Sequence, residues 1–259
     1  MTAGSPGILT RLLAGMVLLF LALPVLIIFP LAFSNTGYLT FPPSGFSLRW
    51  MKEILTDPDW LASMWLSLRV AIAATVLAVV LSLSTAIALV RMHFGGKQLV
   101  YALILMPMIV PNIITALSMF FFFSASAVFS SVVAIIIGHA VIALPIATII
   151  LSATLQGMDR RLDWAAMSMG AGAVTILRRI TLPLAAPGII SAAIFAFLSS
   201  FDELMIALFM AGNEAQTLPV RIWNSVQFQL SPAIAAVSVL LILISVAALV
   251  IANLFSKSR

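Results

Sequence analysis

Long apolar runs without a single charge constrain this chain more than any other feature. Leu12 to Phe33 is one such run, and Val70 to Val90 is another. A hydrocarbon core of about 30 Å is crossed by about 20 residues of helix. Applied along the chain, that length predicts about six transmembrane helices, over 12–33, 66–90, 99–123, 132–153, 185–210 and 233–255. The uncharged block between Lys97 and Asp159 is too long for one crossing, and the polar residues from Ser124 to Ser131 mark where it turns back. The expected fold class is an all-α integral membrane protein forming one transmembrane domain over residues 1–259.

Composition supports lipid as the solvent. Hydrophobic residues make up 63% of the chain and charged residues 8%, whereas a soluble domain carries about 25% charged residues. The chain has no cysteine, which excludes disulfides and thiolate metal sites. Its net charge of +5 does not signal a nucleic-acid partner, because the basic residues are scattered among loops. With the N-terminus inside, the inner side receives Arg11, Arg91, Lys97, Arg160, Arg161, Arg178, Arg179, Lys257 and Arg259. The outer side receives Arg49, Lys52, Arg69 and Arg221, together with Trp50, Trp60, Trp65 and Trp223. Nine basic residues against four place both termini in the cytoplasm. The run after Arg11 is longer than a signal-peptide core and has no clear cleavage site, so it is read as a retained span.

The inner loop from Gln156 to Pro183 carries the most information. Leu162, Ala165, Ala166 and Met169 recur at helical spacing and mark one face of a short helix. Asp159 and Asp163 lie towards its N-terminal end, where the helix dipole favours anions. Gly170 and Gly172 supply a stop and a turn, and a second short helix leads to Pro183. On composition alone, such a segment equally suits an amphipathic helix lying among lipid headgroups.

The order of residues here resembles the EAA loop of the permease subunits of ABC importers. In that loop two alanines are followed by a glycine, then by a hydrophobic residue and a Leu-Pro pair. The matching residues are Ala165, Ala166, Gly170, Ile180, Leu182 and Pro183, while Trp164 stands at the family's glutamate and Asp163 precedes it. The resemblance extends over most of the chain from about Met64 onward. It implies a type I importer permease fold in a bacterial inner membrane. It also implies a coupling surface of Asp163, Trp164, Ala165, Ala166, Met169, Gly170, Leu182 and Pro183 that docks on a cytoplasmic ATPase. The implied partners are a second, different permease subunit, an ATPase dimer that binds ATP and magnesium, and a solute-binding protein outside. The chain has no GxxxxGK[ST] phosphate loop, and neither a catalytic residue, a metal nor a cofactor of its own is expected.

Three further stretches, Ser200–Gly212, Thr217–Ser238 and Gly138–Leu155, resemble the spermidine/putrescine branch of these permeases. Related branches that import amino-acid-like solutes share such segments. Asp202 and Glu203 fall inside the fifth expected span, where an ionised carboxylate costs at least ~2.5 kcal/mol unless water or protein compensates it. Either they line the route of a cationic solute, or they are protonated, paired or drawn to the outer interface. His139, in the fourth expected span, is read as a polar group bonding a neighbouring helix, not as part of an intramembrane hydrolase. Pro107, Pro111 and Pro145 are expected either to kink or locally open their helices, freeing carbonyls to line a cavity, or only to shape packing. The competing class is a secondary transporter driven by an ion gradient. It would be expected to show more midplane charge and inverted halves than this chain does.

Overall fold

The computed structural model describes residues 7–125, 131–212, 215–228 and 230–256, the last ten as backbone alone. Helix dominates, in the order α1 (Ile8–Ala32), α2 (Arg49–Thr56), α3 (Pro58–Arg91), α4 (Lys97–Ile109), α5 (Asn112–Ser124), α6 (Ser131–Gln156), α7 (Arg161–Ser168), α8 (Ala173–Ile176), α9 (Leu182–Phe201), α10 (Met205–Met210), α11 (Leu218–Phe228) and α12 (Ala233–Ser256). A π-helical turn over Leu177–Thr181 joins α8 to α9, so the helix runs unbroken from Ala173 to Phe201.

Among the described residues, four helices are each long and apolar enough to cross a bilayer: Ile8–Ala32, Pro58–Arg91, Ser131–Gln156 and Ala173–Phe201. The third expected span, 99–123, is not one straight helix. It consists of α4 and α5, bent by 105° to one another, and counts as a fifth crossing if the pair is taken together. The cause is local. Pro111 has no N–H and forces Val110 into an extended conformation, with ψ 133°. Pro107 and Pro145 stay inside α4 and α6, so of the three prolines only Pro111 ends a helix. The fifth expected span also differs, since α9 ends at Phe201 and α10 begins only at Met205. The sixth, 233–255, coincides with the backbone of α12, although side chains beyond 246 lie outside the described residues. So do residues 126–130 of the expected turn before α6.

The chain divides into two compact units, residues 63–220 and residues 1–62 with 221–259. In the second of these, α12 packs on α1 and α2. Trp50 is buried there and its indole N–H donates to the Thr36 carbonyl at 3.1 Å. Arg221 lies over the Trp60 ring, 4.8 Å from its centre, and reaches Asp59 at 3.4 Å and Asp57 at 3.7 Å.

In the unit 63–220, α6 and α9 make the most extensive helix pair. The buried face of α9 is a stripe of small residues: Ala185, Gly188, Ala192, Ala196 and Ser200. Lipid tails supply no hydrophobic drive between helices, so close backbone approach across small residues is what holds spans together. Ala74 and Ala78 of α3 join Ala140, Ala143 and Ala196 in one such cluster. The tightest point is Gly188, where any added Cβ would lie within 3.0 Å of the Thr154 side chain on α6. Thr154 cannot easily yield, because its β-branched side chain is pinned by a 2.8 Å hydrogen bond to the Ile150 carbonyl. Gly188→Ala should therefore destabilise the detergent-solubilised protein by about 1–3 kcal/mol, the usual cost of overpacking. Gly15→Ala, at a site with open space around it, should leave the unfolding temperature unchanged. Equal melting of the two variants would show that α6 and α9 do not meet at this point.

Candidate functional site: the inner loop and the break after helix α9

After α6 ends, the Asp159 carboxylate accepts the Arg161 N–H at 2.9 Å and sets the chain into α7. Of the expected face, only Ala166 is buried, while Leu162, Ala165 and Met169 are open. Trp164 and Met167 are exposed as well. The periodicity read from the sequence is thus real, but α7 does not use it to pack into its own chain.

Gly170 is the stop that its place in the sequence suggests. Its φ is +84°, and nothing lies within 4 Å of where a Cβ would be. Its N–H donates to the Met167 carbonyl at 2.9 Å, and the Ala171 N–H donates to Ala166 at 3.0 Å. This pair of bonds closes the end of α7 as a Schellman motif, which requires a left-handed residue at that position. Leu182 and Pro183 stand where the π turn returns to α-helix. The Leu182 N–H donates to Leu177, five residues back, and Pro183 has no N–H to offer. Thr181 beside them is buried.

Asp163 faces inward and forms an ion pair with Arg91, the last residue of α3. Next to it, Arg160 donates to the Val90 carbonyl at 2.9 Å. These groups line a cavity of about 520 Å³ together with Trp164, Met167 and Val174. Asp163 and Trp164 are neighbours in sequence, but the Asp163 side chain is largely covered while Trp164 is exposed. Nothing local in the sequence announces the Arg91 pair, because its partners are far apart along the chain.

At the break after α9, Asp202 and Glu203 also part company. Glu203 is buried, and its carboxylate accepts the N–H groups of Met205 at 3.1 Å and Ile206 at 2.8 Å, satisfying the start of α10. Its Oε2 lies 3.5 Å from His139 Nε2. His139 in turn bonds Ser200 at 2.9 Å through Nδ1, tying α6 to α9 as its sequence setting suggests. The carboxylate beside His139 is not visible in sequence, since 64 positions separate the two residues. Asp202 is exposed, and its carboxylate has no partner among the described residues. Among those residues no three side chains converge to hold a metal ion.

The loop and the break both lie within residues 78–259, which match the family described as the binding-protein-dependent transport system inner membrane component. The chain belongs to this family. It is accordingly a multi-pass inner-membrane permease, in agreement with the resemblance of its loop to ABC importer permeases. One relative is the spermidine/putrescine transport system permease protein PotC of Haemophilus influenzae, 30% identical over 93% of both chains. Another is the putrescine transport system permease protein PotI of Escherichia coli K12, 32% identical over 92% of this chain and 86% of that one. The sulfoquinovosyl glycerol transport system permease protein SmoH of Agrobacterium fabrum is 30% identical over 71% of this chain and 65% of its own length. The fold matches a chain in the crystal structure of a bacterial ABC transporter involved in the import of the acidic polysaccharide alginate. That match has a TM-score of 0.73, 17% identity, and covers 97% of this chain and 95% of the other.

Because Gly170 serves the backbone, Gly170→Ala should loosen the end of α7 by about 1–2 kcal/mol, the cost of a left-handed non-glycine residue. Limited proteolysis of the loop, which follows the open population, should then quicken by about five- to thirtyfold. Gly170→Asn should fall between wild type and alanine, since asparagine tolerates this conformation. Identical cleavage of all three would remove Gly170 from the capping role.

Proposed function

We propose that the chain is the membrane-spanning permease subunit of an ATP-driven importer of polyamines or closely related cationic solutes. What carries this reading is similarity to spermidine/putrescine and putrescine permeases over more than nine-tenths of the chain. Family membership alone does not select the solute, as the relative named for sulfoquinovosyl glycerol shows. Nothing on the chain favours a transporter driven by an ion gradient.

In this reading the residues divide the work. The exposed side of α7, with Trp164, Ala165, Met167 and Met169, seats on a cytoplasmic ATPase, which binds ATP and magnesium and supplies the energy. Gly170, Leu182 and Pro183 give the loop its shape. Asp202, exposed at a helix break, presents a carboxylate to a passing cation, while the buried Glu203 holds the break open from behind. The permease does no covalent chemistry. A second, different permease subunit completes the pathway, and a binding protein outside delivers the solute. The whole chain acts as one transmembrane domain.

The excess of Lys and Arg on the loop side places residues 156–183 and both termini in the cytoplasm. The native chain has no cysteine to interfere with labelling. A membrane-impermeant thiol reagent on spheroplasts should label Thr56→Cys and spare Thr175→Cys until the membrane is opened. The opposite pattern would overturn the orientation.

Asp202→Asn keeps shape and hydrogen bonding while removing the charge. Loss of one charge-assisted contact is worth on the order of 1–3 kcal/mol, so uptake of labelled putrescine should drop by about tenfold to a hundredfold. The amount of assembled complex, measured in parallel, should not change. Full putrescine uptake by an assembled Asp202→Asn complex would take Asp202 off the solute path.

A further inference from the structure

We propose that Arg91, Asp163 and Arg160 form a two-point clamp that fixes the inner loop helix α7 to the end of α3 and delivers movement of the loop to that span. The proposal rests on the reading of the loop as the ATPase-docking element, and its observations are separate from those behind that reading.

The first point of the clamp is the Arg91–Asp163 ion pair, whose side chains are only 15% and 13% exposed. Solvent therefore screens the pair far less than it would an ion pair on an open surface. The second point is Arg160 Nη2 on the Val90 carbonyl. The last carbonyls of a helix have no partner within it and carry the negative end of its dipole, so a guanidinium there is doubly suited. One contact would let α7 swivel about the end of α3. Two contacts, one to a side chain and one to the adjacent main chain, fix orientation as well as distance.

The rest of the loop is already tied to the membrane. Its two ends continue covalently into α6 and α9, and these are locked together where Gly188 meets Thr154. Helix α3 has no covalent link to the loop. It shares an apolar cluster with α6 and α9 through Ala86, Ala147, Leu151 and Ala192, and its Ser82 hydroxyl donates to the Leu144 carbonyl of α6 at 3.1 Å. The clamp is its directional connection to the loop itself. It also accounts for the arrangement of Asp163 and Trp164. Adjacent residues on a helix point about 100° apart, so α7 can hold α3 with one while offering the other outward.

The test uses the assembled transporter in proteoliposomes and reads two quantities: the ATPase that co-purifies, and the ATP hydrolysed per putrescine imported. Arg91→Gln should retain the ATPase and raise ATP hydrolysed per solute by roughly tenfold, the size of a typical coupling between sites. Exchanging the charges, Arg91→Asp with Asp163→Arg, should recover part of this loss. In the cysteine-free chain, Arg91→Cys with Asp163→Cys should be poorly coupled when reduced and recover on treatment with a short bifunctional thiol crosslinker. If the reduced pair does not survive extraction, the crosslink is made in intact membranes, and recovery of coupled complex is then the expected result. A wild-type ratio in Arg91→Gln would overturn the clamp, as would a crosslinked pair that stays uncoupled. Ala165→Arg, on the outward side of α7, should instead lose the ATPase. If the ATPase stays bound in that variant, the docking reading fails, separately from any result on the clamp.

Discussion

In a hydrocarbon solvent no water waits to bond a free N–H or C=O, and every interruption of a helix must be satisfied by the protein itself. The structure of this permease is organised around meeting that demand at a few chosen places. The Val110–Pro111 break needs one acceptor fewer, because proline brings no N–H to satisfy. The Phe201–Met205 break receives the Glu203 carboxylate as acceptor for two N–H groups. The irregular turn ahead of α9 keeps its ladder by reaching one residue further back. Each interruption sends the chain in a direction that a straight helix would not have given it.

The same demand explains why two adjacent acids have opposite fates. A carboxylate in this setting is tolerated only with compensation. Glu203 obtains it from backbone donors and from the neighbourhood of His139, inside the unit 63–220. Asp202 obtains none from the described protein and stands exposed at the same break. The buried acid is thereby part of the support for the exposed one, and the pair is better understood as a bracket and what it presents than as two equivalent charges.

Much of the fold was legible because its signals are local. Charge-free runs place α1, α6 and α12 to within a few residues, whereas α3 starts well before its expected span and α9 ends well short of its own, and the sequence of the inner loop identifies α7, its terminating glycine and the Leu-Pro entry to α9. The 105° bend was legible only in part: Pro111 marks a break, but its angle depends on what α4 and α5 pack against. The partners of the acids were not legible at all. Asp163 with Arg91, and Glu203 with His139, are joined across more than sixty positions by packing, and no periodicity encodes such a meeting. Gly170 is legible as the stop of α7, because glycine after a periodic run marks a left-handed cap.

The π turn at Leu177–Thr181 has a consequence for the helix that follows. It accommodates one residue more than an α-helical path, which offsets the angular phase of everything beyond it by about 100°. The small-residue stripe from Ala185 to Ser200 meets α6 only at that phase. Drawing the turn in to ordinary α-helical bonding, with every residue kept, would leave the composition of α9 unaltered and its helicity intact. It would nonetheless rotate bulky Leu184 and Phe195 towards α6 and carry the azimuth of Asp202 a quarter-turn round. Five residues outside the apolar stretch thus set the bearing of a whole membrane span.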